Sequence, residues 1–375
     1  MIRFAFIVQQ KYIEYRHELQ AGCSTRAAPT RGSLSDILCL RQGSKASTFC
    51  PLEHQTQIVD LALAWNWEYD DDFIRVVKDV AQSRGLSTYR IQRSNLEEAL
   101  HRLKEKTLHF RVVFDRASDE DDSFHPLAHE FLRLHRATDR PLRIINPYEL
   151  HKRASDKATM HLELLAHGVD VPYTIIVTPY NHKKELELSL TDLARLGRPF
   201  IIKPANTTGG GIGVVLGAET LKDVLETRQH HKNDKYLLQE SVKPAYLSEN
   251  RGWFRVFYAF GTTIPCWWDD QTHVYERVTL EDERTFGLER LHEIAATIQQ
   301  ACHLDFFSTE VVYARDHRLI VVDYVNEICD MRLQSKYPDG VPDQVVTTIA
   351  GLIANFAAGQ IDNPTEERSV SSSAR

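Results

Sequence analysis

The chain has 375 residues, 42% of them apolar and 26% charged, with a formal net charge of −7. That balance excludes a mainly disordered or fibrous protein, and the length suits two or three domains. The negative charge argues against nonspecific nucleic-acid binding, and no run approaches the ~20 apolar residues of a membrane-spanning helix. Six scattered cysteines make no disulfide scaffold, which points to a reducing, cytoplasmic setting.

Residues 1–50 carry seven basic side chains, three acidic ones and three cysteines. The segment reads as a basic extension, an irregular cap, a transit-peptide-like stretch or upstream sequence read through from a wrong start. Cys23, Cys39, Cys50 and His54 offer zinc donors, but their spacing matches no usual finger.

Regular patterning begins near Gln57. Ile58 to Trp65 is an apolar run of strand length. Asp70-Asp71-Asp72 then precedes Phe73, Val76, Val77 and Val80 at helical spacing, so the aspartates are expected to cap a helix. Leu86 to Ile91 reads as a strand, Asn95 to Lys104 as a helix capped by Ser94, and Phe110 to Phe114 as a strand. His125 to Ala137 reads as a helix and Leu142 to Ile145 as a strand. Such alternation implies a small parallel α/β layer. No GxGxxG turn follows its first strand, so a dinucleotide site there is unsupported.

A second unit follows Asn146-Pro147. It starts with a helix over 155–167, stopped by Gly168, then a strand at Tyr173 to Val177 and a short helix ending at Gly197. Pro199 to Pro204 is a strand carrying Lys203, and it enters a loop holding Thr207, Thr208, Gly209, Gly210, Gly211 and Gly213. Clustered glycines let backbone N–H groups turn closely around an anion, and phosphate is the natural guest. The following Val214-Val215-Leu216 reads as strand, which excludes a Walker loop leading into a helix. Lys203 precedes the glycines, and no His-Arg-Asp or Asp-Phe-Gly is present, which excludes the protein-kinase arrangement. A glycine-rich hairpin without a ligand is the plainer alternative.

Lys235 to Val242 is a strand whose end offers Glu240 and the Val242 backbone to a nucleotide base. Near the C-terminus, Phe307 to Ala314 and Leu319 to Val325 flank a polar turn, the pattern of a β-hairpin. Glu310 and Asp323 lie five residues from that turn on either side, so they can face one another. With Asn326 they form an all-oxygen set suited to Mg²⁺ on phosphates. Asp305 is a rival for the first ligand.

The ordered set resembles the ATP-grasp superfamily, which includes glutathione synthetase and other carboxylate–amine ligases. The resemblance covers residues 57–358. It implies an α/β (α+β) fold, in which a small parallel pre-grasp domain at 56–150 precedes two α+β subdomains that clasp ATP. These subdomains are placed at 151–240 and 241–360, between a basic extension at 1–55 and a disordered tail at 361–375. By resemblance, Lys157 and Lys203 are the nucleotide lysines, Thr208 and the four glycines the flap, and Glu240 and Val242 the adenine hinge. Glu310, Asp323 and Asn326 would hold Mg²⁺, or Mn²⁺ in its place. Arg255 would contact the transferred phosphate, and Arg332 the substrate carboxylate or acyl-phosphate oxyanion. Two features depart from the family: its usual Glu-x-Asn is Asp323-Tyr324-Val325-Asn326 here, and the next loop lacks the small, Gly/Pro-rich turn.

The implied activity is ATP-dependent joining of a carboxylate to an amine through an acyl phosphate, releasing ADP and phosphate. Partners would be small-molecule or peptide acids and amines, with no nucleic acid and no membrane, and a homo-oligomer left open. A small-molecule kinase and a nucleotide-binding module without turnover are the alternatives. Dispersed arginines favour the ligase over a kinase for a polyphosphorylated acceptor. Trp267 to Arg277 reads either as an acceptor-pocket wall or as core.

Overall fold

A computed structural model describes residues 56–119, 121–137, 142–206 and 213–362. The cysteine–histidine set of the basic segment, Thr208, Gly209, Gly210, Gly211 and the tail from 363 lie outside the described residues.

The first layer is a parallel sheet of β1 (Gln57–Ala64), β2 (Thr88–Ile91), β3 (Leu108–Asp115) and β4 (Arg143–Ile145), in the order β2-β1-β3-β4. Three helices join these strands: α1 (Asp71–Ser83), α2 (Leu96–Lys104) and α3 (His125–His135). Residues Leu61 to Ala64 are buried without alternation, as a strand covered on both faces requires.

Two caps differ from expectation. Asp70 precedes α1 but makes no side-chain cap. Its carboxylate instead holds Arg116, with Nη2 at 2.7 Å and Nε at 2.8 Å. Both side chains are fully buried, and a buried guanidinium demands a counter-charge more strongly than a helix end does. Asp71 accepts from the Trp65 indole N–H at 2.7 Å, while Asp72 pairs with Arg75 and Lys336. The three aspartates therefore serve tertiary contacts. Before α2, Asn95 rather than Ser94 is the boundary residue, and its amide closes the preceding turn onto Gln92 and Arg90.

The helix expected over 155–167 is α5 (Lys157–Ala166), and a helix that the sequence reading did not assign, α4 (Tyr148–Ser155), precedes it. Asp156 between them is extended and accepts from the N–H groups of Ala158 and Thr159, which caps α5. Next come β5 (Thr174–Val177), α6 (Leu190–Leu196), β6 (Phe200–Pro204), β7 (Val215–Ala218), α7 (Leu221–Thr227) and β8 (Tyr236–Glu240). Their antiparallel sheet has the order β5-β8-β6-β7.

A two-stranded ribbon, β9 (Tyr246–Leu247) and β10 (Asn250–Arg251), leads into the third sheet. That sheet contains β11 (Trp253–Ala259), β12 (Thr262–Trp268), β13 (Tyr275–Arg277), β14 (Phe306–Tyr313) and β15 (Leu319–Asn326), in the order β13-β12-β11-β14-β15. Helices α8 (Leu280–Phe286) and α9 (Arg290–Cys302) intervene, and α10 (Asp343–Asp362) follows. Strand alternation sorts the side chains. Phe254 and Val256 join Leu291, Ala295 and Ile298 of α9 in one core, while Arg255 between them is turned to the other face. A second core unites α1 and α10 with residues of the first and third sheets, among them Phe114 and Phe306. No helix among the described residues is long and apolar enough to cross a membrane.

Two expectations follow from these contacts. Arg116→Ala leaves Asp70 buried and unpaired, so urea unfolding should show a loss of about 3–5 kcal/mol; a loss below ~1 kcal/mol would contradict the assignment. At Asp156, burial alone would raise the carboxyl, but the Thr159 N–H, the Lys235 ammonium and the Ala158 N–H outweigh it and hold it below its ordinary range. Asp156→Ala should cost about 1 kcal/mol at neutral pH. Because the folded carboxyl is the stronger acid, that difference is complete above the unfolded value and shrinks as pH falls through the folded one. Parallel melts of wild type and variant across acidic pH check this.

Candidate functional site

The β14–β15 hairpin sets Glu310 directly opposite Asp323. On either side the register slips, because Ser308 pairs with Asn326 and Val311 with Val321. Strand β15 thus carries one extra residue on each side of Asp323. The additional residue in Asp323-x-x-Asn326 is taken up as a bulge, which returns Asn326 to the face of the acids. With its amide oriented to satisfy its neighbours, Asn326 accepts from Arg255 Nη1 at 3.2 Å and donates to the Ile328 carbonyl at 3.0 Å.

Three cations converge on these oxygens. Arg255, opposite Glu310 in the β11–β14 register, reaches Glu310 Oε1 at 2.7 Å. Its guanidinium lies 5.0 Å above the Trp268 ring. Lys157, the first residue of α5, places Nζ 3.8 Å from Asp323 Oδ1. Lys203 projects from β6 and donates to the Val322 carbonyl at 3.0 Å. The Lys157 backbone N–H donates to the Ala205 carbonyl at 3.0 Å, so the two lysines are held together.

Partial burial acts against the charges of Asp323, Glu310, Lys203 and Arg255, and the balance differs at each. At Asp323 it would raise the carboxyl, but Lys157, Lys203 and Arg255 prevail and hold it low. At Glu310 burial, aided by Asp323, prevails over Arg255 and raises the carboxyl. Burial also depresses the Lys203 ammonium, which Asp323 only partly restores. Glu310, Asp323 and Asn326 together present the hard oxygen donors that suit Mg²⁺, so the residues fit that ion. Asp305 falls elsewhere, 3.7 Å from Arg143.

The loop between β6 and β7 begins and ends as expected. Gly213 has φ +74°, and a Cβ there would stand 3.0 Å from Pro204 Cγ, so both conformation and space favour glycine. Glu240 ends β8, where its Oε1 accepts from the Tyr173 N–H at 2.8 Å, so part of its carboxylate ties β5 to β8. Val242 packs on an apolar patch with Val312, Ile320 and Val322. Val242 therefore borders the hairpin, while Glu240 is held by β5.

Arg332 is engaged by carboxylates of its own loop. It meets Asp330 Oδ2 at 2.7 Å and Asp339 Oδ2 at 3.0 Å, with Tyr337 beside it. The two tryptophans of β12 divide: Trp267 packs on Phe254 in the core, and Trp268 lies under Arg255 and stacks on His273. Asp270 is bound to Arg251 at 2.7 Å, and Asp269 closes a turn.

Trp253, whose indole N–H donates to Glu310 Oε2 at 3.3 Å, went unrecognised in the sequence. The period of a strand carries the signal, since 253 and 255 share a face. A second polar cluster, Asp119, His151 and Glu327, also went unrecognised. Its ligand atoms all lie within 4.8 Å of one another. Its members are separated widely in sequence, so no local spacing reveals them.

No protein-family model and no curated protein matches the chain. Solved structures do. A RimK-domain ATP-grasp protein from Sphaerobacter thermophilus is 18% identical, with TM-score 0.52, over 79% of this chain and 98% of that one. The ATP-grasp ligase PsnB, solved with its precursor peptide PsnA2 and AMPPNP, is 14% identical, with TM-score 0.53, over 82% and 99%. D-alanine–D-alanine ligase from Bacillus anthracis, solved with ATP, is 13% identical, with TM-score 0.53, over 81% and 99%. At these identities the likeness is one of fold, and the chain has the ATP-grasp fold.

Proposed function

We propose that this chain is an ATP-dependent ligase that joins a carboxylate to an amine through an acyl phosphate. The observation that carries the reading is the convergence of Lys157, Lys203 and Arg255 on Glu310, Asp323 and Asn326. Half-buried opposite charges of this kind contribute little net stability, so their convergence is better explained by a charged substrate. Similar proteins support the direction: PsnB was solved with a peptide and AMPPNP, and the Bacillus anthracis ligase with ATP.

In this reading Lys157, Lys203 and Gly213 border the phosphates, together with Thr208, Gly209, Gly210 and Gly211. Glu240 and Val242 border the base. Glu310, Asp323 and Asn326 would hold Mg²⁺, which supplies charge neutralisation on the outer phosphates. Arg255 would leave Glu310 for the transferred phosphoryl group, exchanging one anion for another at little electrostatic cost. The substrate carboxylate attacks the terminal phosphorus, ADP leaves, and an amine then displaces phosphate from the acyl carbon. Arg332 serves this reading only by releasing Asp330 or Asp339, so it is assigned to the acceptor loop and not to the chemistry.

The test is ADP and phosphate release from Mg·ATP against a panel of acids and amines, with mass detection. Release should require an acid–amine pair and produce an amide. Phosphate retained on an acceptor would instead make this a kinase. Asp323→Asn should lower turnover by about 100-fold or more while circular dichroism stays native. Undiminished turnover would remove the hairpin from the mechanism.

A further inference from the structure

A second cluster of chemistry-bearing side chains lies outside the nucleotide cluster. His151 projects from α4, Asp119 follows β3, and Glu327 follows β15 directly after Asn326. The His151 Nε2 is 3.0 Å from Glu327 Oε1 and 3.7 Å from Asp119 Oδ1. His151 is only 4% exposed, and this buried nitrogen makes no well-directed hydrogen bond despite the short distance. Beside it is a cavity of about 10 Å³, lined among others by Asp115, Ser118, Asp119 and Tyr148. That volume is near what one water or ion occupies.

We propose that Asp119, His151 and Glu327 form a divalent transition-metal site, separate from the phosphate hairpin, that takes Zn²⁺ or a similar ion. Donor chemistry sets the class, since one imidazole with two carboxylates is a zinc-like set rather than the all-oxygen set of magnesium. Distances agree: ligands about 2.1 Å from one ion are separated by roughly 3–4 Å. All three ligand atoms already lie within 4.8 Å of one another, so little side-chain movement closes the shell. The cavity leaves room for a water as a further ligand. The ion would tie the loop after β3, α4 and the end of the metal hairpin together. Its role would be structural, holding the first layer against the nucleotide site.

The proposal does not depend on the ligase reading, and its test uses no nucleotide. Full-length protein stripped of metal is titrated with Zn²⁺ alone, and bound zinc is counted by equilibrium dialysis with elemental analysis. Thermal melts accompany each titration. His151→Ala and Asp119→Asn should each bind one equivalent fewer than wild type and lose the zinc-dependent rise in melting temperature. Adding His151→Ala to Asp323→Asn should remove one further equivalent, which separates this site from the hairpin. Comparing variants with wild type also cancels zinc held by cysteines elsewhere. An unchanged count in His151→Ala and Asp119→Asn would overturn the proposal and leave the cluster as a charged imidazole between carboxylates. A double variant that binds as much zinc as Asp323→Asn alone would overturn it too.

Discussion

Five charged groups must share one half-buried site, and much of the architecture answers that constraint. Glu310 and Asp323 face each other across a hairpin, where two carboxylates alone would repel. Arg255, Lys157 and Lys203 neutralise them from three separate elements. Each element has a local reason to aim its cation correctly. The β11–β14 register sets Arg255 opposite Glu310, the Asp156 cap starts α5 at Lys157, and β6 alternates so that Lys203 leaves the apolar face formed by Phe200 and Ile202. Replacing such a network by apolar side chains often costs no stability. On the proposed reading, the cluster is explained by the nucleotide that enters it.

The second and third sheets share one apolar core, in which Met160, Leu164 and Leu237 join Val256, Ile298 and Val311, and polar contacts add to it. The buried Tyr324 hydroxyl meets His161 Nδ1 at 2.7 Å and Gln239 Nε2 at 3.0 Å, which links β15 to α5 and β8. Lys203 adds a bond to the Val322 carbonyl. Arg116 connects the first layer to the loop after the hairpin through the Cys329 carbonyl. Directional bonds fix the relative placement of the acids and lysines more tightly than apolar contact would. The same loop carries Glu327 and Arg332, so the hairpin end is held by charge on several sides.

Much of this was legible in sequence wherever a local pattern suffices. The alternating layer, the lysine strand before the glycines and the facing acids all follow from period and spacing. The additional residue before Asn326 was visible too, but only the pairing showed it taken up by a bulge. What failed to show was partnership over distance. Asp70 looked like a helix cap because its partner, Arg116, lies 46 residues away. His151 and Glu327 meet from different elements for the same reason. Arg332 looked like a substrate ligand, yet Asp339, seven residues on, engages it. Charged side chains advertise chemistry in a sequence, and only the fold decides which partner each one takes.

The most direct test of the central account is a calorimetric titration of a non-hydrolysable ATP analogue, with and without Mg²⁺, into wild type and Lys203→Ala. The account predicts one site per chain, strengthened by Mg²⁺ and weakened at least about tenfold by the substitution, as loss of a charge-assisted phosphate contact implies. Binding that ignores both Mg²⁺ and Lys203 would contradict the assignment of the buried charge cluster to the nucleotide.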